Sequence, residues 1–110
     1  MPGDHASTFG GNPVSCAAAC AVVETIDDDL LTHVREVGAR FEAELPGVRG
    51  AGLLLAVELG RPAGPVAHAA LERNLLVGTA GDTALRITPP LTISEQEADL
   101  AVDLLRETLR

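Results

Sequence analysis

Between residues 30 and 45 the apolar side chains recur at helical spacing. Leu30, Val34, Val37, Phe41 and Leu45 stand four, three, four and four apart, which lines one face of an α-helix. Pro46-Gly47 stops that helix. Upstream, residues 13 to 27 are apolar at most positions, the pattern of a helix buried on most faces. Asn12 is a good side-chain cap for its first turn. Pro13 suits a first helical position, where no N–H partner is needed. The run Asp27-Asp28-Asp29 reads as a solvated turn whose charges favour the start of the second helix.

The second half changes period. An apolar run from Leu53 to Val57, inside the segment Val48 to Leu59, has the length and flanking glycines of one buried strand. Gly60 to Pro65 breaks the pattern, and a short helix is predicted from Val66 to Asn74. Leu75 to Thr79 and Thr83 to Ile87 read as two strands around a Gly81-Asp82 turn. Pro89-Pro90 ends the second of them. Ser94 and Glu97 have the spacing of a capping box, and Ala98, Ala101, Val102, Leu105 and Leu109 form the apolar face of a last helix. Two helices, a strand, a helix, two strands and a helix predict an α/β fold of the α+β kind. Its helices would cover a small, mainly antiparallel sheet.

A chain of 110 residues with 46% hydrophobic content supports one modest core. Net charge is −8, with two Phe and neither Tyr nor Trp. That excludes a basic groove or stacking platform for nucleic acid. No apolar run is long enough to span a bilayer, and the N-terminus lacks a secretory pattern, so a cytoplasmic protein is expected. All eight basic residues are Arg; there is no Lys.

Candidate chemistry concentrates in two places. Ser7-Thr8-Phe9-Gly10-Gly11-Asn12-Pro13 sets two hydroxyls and a Gly-Gly turn before a helix. Such a loop can hold an anion such as phosphate, and it can equally be a plain helix-capping loop. Arg86 lies in a predicted strand, pointing opposite to Leu85 and Ile87. It is either an ordinary surface arginine or a guanidinium able to grip a carboxylate through two parallel hydrogen bonds. Cys16 and Cys20, four apart on the first helix, are expected to be small buried hydrophobes, with no further ligands near them for a metal. His33 and His68 are expected on helix surfaces, His5 and Arg49 in structural roles. No catalytic triad or metal-ligand cluster is visible.

The loop His5-Ala6-Ser7-Thr8-Phe9-Gly10-Gly11-Asn12-Pro13 resembles the signature of the class III pyridoxal-phosphate-dependent aminotransferases, with Ala6 where that family usually has Gly. Val48-Arg49-Gly50-Ala51-Gly52-Leu53-Leu54 and Leu85-Arg86-Ile87-Thr88-Pro89-Pro90-Leu91 agree in order and spacing. The similarity is greatest to the acetylornithine and ornithine aminotransferase branch and covers the last part of such an enzyme. It implies the C-terminal small domain of a fold-type I pyridoxal-phosphate enzyme over residues 13–110. Residues 1–12 would be a cofactor-phosphate loop from the end of the large domain. It implies further that Thr8 donates to the cofactor phosphate of a neighbouring subunit in a homodimer, that Ser7 lies beside substrate and phosphate, and that Arg86 binds the substrate's α-carboxylate. The implied reaction moves the terminal amino group of N-acetylornithine or ornithine to 2-oxoglutarate, in arginine biosynthesis. A chain without lysine cannot hold the cofactor as a Schiff base. This segment is therefore expected to be a fragment inactive by itself, or else a non-catalytic remnant that docks on an aminotransferase subunit. A fragment would also expose surface that a missing partner covers.

Overall fold

In a computed structural model of the chain, which describes residues 4–110, four helices and four strands follow one another. They are α1 (Pro13–Thr25), α2 (Asp28–Glu44), β1 (Val48–Ala51), β2 (Leu54–Glu58), α3 (Ala63–Glu72), β3 (Gly78–Ala80), β4 (Ala84–Ile87) and α4 (Glu95–Leu109). The strands form one sheet in the order β1-β2-β4-β3, and every pairing is antiparallel. Among the described residues no helix is long and apolar enough to cross a membrane.

Three of the four helix starts are where the capping chemistry puts them. Asn12 Oδ1 accepts the Ser15 N–H at 2.9 Å and Pro13 opens α1. Asp27 Oδ1 accepts from Leu30 N–H at 2.8 Å, with Asp28 and Asp29 in the first turn of α2. At α4 the Ser94 hydroxyl accepts the Glu97 N–H while Glu97 accepts back from the Ser94 N–H at 2.9 Å, a complete capping box.

The core joins one face of the sheet to α2, α3 and α4. Leu55 and Val57 of β2 stand opposite Ile87 and Leu85 of β4 in register, and all four are buried. Val34, Val37, Phe41 and Leu45 bring the α2 stripe onto them, and Ala98, Val102 and Leu105 do so from α4. The predicted stripes pack, except that Leu30 at the start of α2 stays outside the core cluster.

Four expectations require correction. The segment Val48 to Leu59 holds two strands, not one: Ala51 pairs with Leu54 across a two-residue turn, Gly52-Leu53. Gly52 sits at φ +56°, as the first central residue of a tight hairpin demands; the buried Leu53 beside it made the turn look like strand. The third helix begins at Ala63, before the expected Val66, because Pro65 falls inside its first turn, where a missing N–H costs nothing. Residues 75 to 77 precede β3 rather than opening it. Helix α1 is not buried: none of its residues is, Val14 and Val23 are exposed, and so are the thiols of Cys16 and Cys20. Its apolar character finds no cover among the described residues.

One close contact sets how α2 meets the hairpin. Gly38 is buried in α2, and a Cβ there would lie 2.3 Å from the Gly52 carbonyl oxygen. Backbone cannot rotate aside as a side chain can. Gly38→Ala is therefore expected to destabilise the chain by about 1–3 kcal/mol in urea titration, despite the better helix propensity of Ala. Wild-type stability in that variant would show that the helix shifts freely on the turn.

Candidate functional site

Strand β4 presents Arg86 by simple alternation. Leu85 and Ile87 turn into the core, so Arg86 projects from the opposite face and is exposed. Across the sheet its neighbours in register are Ala56 on β2 and Gly78 on β3. Both are small, leaving room for a long side chain. Of the arginines on the chain, Arg40 pairs with Glu95 and Asp99, and Arg106 with Glu44. Arg86 has no hydrogen-bond or ion-pair partner among the described residues. A guanidinium whose donors are not taken up by other side chains is what an incoming carboxylate needs.

Arg86 also forms part of the wall of a groove of about 880 Å³. Phe41 and Leu105 contribute to it from the core. Leu75, Leu76 and Val77 supply apolar wall before β3, and the segment Ile87 to Pro90 with Thr92 and Ile93 supplies another side. That second segment is fixed: Ile93 N–H donates to Pro90 O at 3.0 Å, and Ile93 O accepts from His33 Nε2 at 2.7 Å. His33 is thus half-buried and ties α2 to the groove wall, where a surface position was expected. Glu97 is the wall's only acid. Hydrogen bonds from the Ser94 backbone N–H and then its hydroxyl hold the Glu97 carboxyl below the usual glutamate range. Arg86 is the wall's only cation. An apolar trough with one free guanidinium suits a small molecule that has an aliphatic body and a carboxylate end.

Ser7 and Thr8 lie elsewhere. Gly10 N–H donates to Ser7 O at 3.4 Å and Asn12 N–H to Phe9 O at 3.3 Å. Asn12 Nδ2 adds bonds to Phe9 O at 2.8 Å and Ser15 Oγ at 2.9 Å. Gly11 takes φ +81° to complete the turn. One asparagine therefore both caps α1 and braces the loop before it. Ser7, Thr8 and Phe9 are exposed, and neither hydroxyl reaches the groove wall. The structure does not bring Thr8 and Arg86 into one cavity. The donor set at the loop fits a phosphate: two hydroxyls ahead of a helix N-terminus. The chain supplies no amine side chain for an aldehyde.

The remaining candidates are modest. His68 is exposed, 3.8 Å from Glu72, one turn along α3. Arg49 stands 4.0 Å from Glu58 on the neighbouring strand, and His5 is exposed. Among the described residues no group of three or more His, Cys, Asp or Glu could hold a metal ion. The groove residues that sequence reasoning missed, Leu76, Thr88, Thr92 and Glu97, come from three separate stretches of chain. Only the neighbourhood of Arg86 gave a signal for any of them.

Comparison with known proteins places these features in a wider set. The family described as Aminotransferase class-III matches residues 1–109. The chain is 44% identical over 115 residues to acetylornithine aminotransferase 1 of Bordetella bronchiseptica, covering 94% of this chain and 29% of that protein. It is 43% identical over 113 residues to the acetylornithine aminotransferase of Aquifex aeolicus, with 98% and 30% covered. Among solved structures, acetylornithine aminotransferase from Elizabethkingia anophelis superposes with a TM-score of 0.74 at 30% identity, over 99% of this chain and 33% of that one. Ornithine δ-aminotransferase of Plasmodium falciparum gives 0.75 at 29% identity, over 99% and 32%. The chain spans about three tenths of the length of the curated relatives it matches.

Proposed function

This chain belongs to the class-III aminotransferase family, and from that premise we propose that it is the C-terminal portion of a pyridoxal-phosphate-dependent transaminase. The proposed reaction carries the terminal amino group of N-acetylornithine, or ornithine, to 2-oxoglutarate in arginine biosynthesis. The names of the relatives, acetylornithine and ornithine aminotransferases, support that substrate class. The observation that carries the assignment is Arg86: the one cation on the wall of a mainly apolar groove, with no side-chain partner among the described residues. In this reading residues 13–110 are the small domain, and residues 1–12 the end of the large one. The first three residues of that span lie outside those described.

Each residue then has a physical task. Arg86 binds and orients the α-carboxylate through its planar fork, so amino donor and oxo-acid acceptor enter in one orientation. The apolar wall takes the aliphatic part of the substrate and excludes water from it. Thr8 donates its hydroxyl to the cofactor phosphate of the neighbouring subunit, with Ser7 alongside. That loop does not line the groove, which agrees with a contact made in trans across a homodimer. When bound, pyridoxal phosphate supplies the electron sink that lets nitrogen leave one carbon skeleton and join another. The lysine that anchors it would come from sequence beyond this segment, so the segment is inactive by itself, in the cytoplasm as elsewhere.

The test is cofactor retention in the complete enzyme. A hydrogen bond to a charged group contributes about 1.5–3 kcal/mol, so Thr8→Val should weaken pyridoxal phosphate binding about tenfold or more. Dialysis followed by absorbance of the retained cofactor measures it. Retention equal to wild type removes Thr8 from the phosphate site and with it the proposed role of the loop.

A further inference from the structure

Gly78 opens β3, an edge strand, and stands directly opposite Arg86 in the β3–β4 register. Glycine is a poor strand residue, since it gives up conformational freedom and packs nothing. A turn does not explain it, because Gly78 is absent from the positive-φ glycines of the described residues. Space does explain it. A Cβ built on residue 78 would lie 3.3 Å from Arg86 Nε, 3.3 Å from its Nη2 and 3.7 Å from its Cβ. The guanidinium therefore rests against the bare backbone of residue 78, and a methyl group there would press on two of its donor nitrogens at less than ordinary contact distance. On its other side the paired residue, Ala56, is also small. Both Gly78 and Arg86 belong to the groove wall.

We infer that Gly78 is a positioning residue for the carboxylate grip: by carrying no side chain it seats the Arg86 fork at the groove. The inference rests on the reading of Arg86 as a carboxylate-binding residue. It adds what holds the fork in place, which no hydrogen bond among the described residues does. A packing surface restricts a long, entropically free side chain before ligand arrives, and so reduces the ordering cost of binding.

The experiment uses the 110-residue chain labelled with ¹⁵N, with 2-oxoglutarate as the probe. Three readouts are followed: the Arg86 Nε–Hε resonance, the Kd for 2-oxoglutarate by titration, and the melting midpoint. Gly78→Ala should displace the Arg86 resonance in the free protein. It should raise Kd about threefold to tenfold, the equivalent of impairing one of two charge-assisted hydrogen bonds. Its melting midpoint should be no lower, since Ala suits a strand better than Gly. Thr79→Ala, next door on the same edge strand, should move neither the resonance nor Kd. Arg86→Lys separates the two ideas. If wild type binds and Arg86→Lys binds equally well, or if wild type shows no saturable binding, the carboxylate-grip reading fails. If Arg86→Lys weakens binding while Gly78→Ala changes neither resonance nor Kd, the grip stands and the positioning role is overturned. A drop in melting midpoint with the Arg86 resonance unmoved also overturns it, because Gly78 would then serve the strand alone.

Discussion

Arg86→Lys in the complete enzyme is expected to lower kcat/KM about tenfold or more for both the amino donor and 2-oxoglutarate, with pyridoxal phosphate still bound. The substitution keeps the charge and removes the geometry. A lysine ammonium is a compact, strongly hydrated point charge on a flexible stem, whereas the guanidinium offers parallel donors in a rigid plane. The structure adds reasons why lysine should not compensate. Arg86 leaves the strand between two small neighbours, Ala56 and Gly78, with no bond to another side chain among the described residues. A lysine there would have nothing to hold it. The fall should appear mainly in KM if the carboxylate is held equally in ground and transition states, and in kcat if orientation of the reacting carbon is what the fork secures. Steady-state kinetics with each substrate varied, beside the absorbance of bound cofactor, distinguish these. Unchanged kinetics would place the carboxylate grip on another residue and remove the central support of the proposed function.

Much of this was legible along the chain, for a consistent reason. Features that depend on neighbours a few residues away could be read: the α2 stripe of Val34, Val37, Phe41 and Leu45, the caps at Asn12 and Ser94, and the outward turn of Arg86 between Leu85 and Ile87. Features that depend on distant segments could not. Gly38 looks like a weak point in a helix until the Gly52 carbonyl is seen above it. His33 looks like a surface residue until Ile93 O, sixty positions along, is found at its ring. Gly78 looks like a weak place in a strand until the Arg86 guanidinium is found against it. The α1 error is of a different kind. Its composition gave the right property, an apolar helix, and the wrong circumstance, because a pattern of side chains says that a face prefers cover without saying that this chain provides it. Val14, Val22 and Val23 all stay exposed. The chain spans about three tenths of the length of the relatives it matches, and α1 stays exposed in it.

The two phenylalanines should respond oppositely to truncation in the 110-residue chain. They are its only aromatic side chains, and the structure separates them completely: Phe41 is 1% exposed and Phe9 79%. Phe41 sits midway along the α2 stripe among Leu, Val and Ala, and touches both the core and the groove. Cutting it to alanine removes the largest apolar body from a core with no other ring to move into the space. Phe→Ala at such sites costs about 3–5 kcal/mol, from lost transfer energy and the residual cavity together. A domain of this size has about 5–15 kcal/mol in total, so Phe41→Ala should lose a large share of stability and shift the urea midpoint well downward. Phe9→Ala, on an exposed loop, should leave the midpoint where it is. The groove gives a second consequence, because Phe41 contributes to the same wall as Arg86. Phe41→Ala should therefore weaken 2-oxoglutarate binding even below the temperature at which it unfolds, as the apolar contact of the substrate's chain is lost. If Phe41→Ala unfolds within about 1 kcal/mol of wild type, the core must close over the gap, and the packing of α2 onto the sheet is looser than its buried stripe indicates.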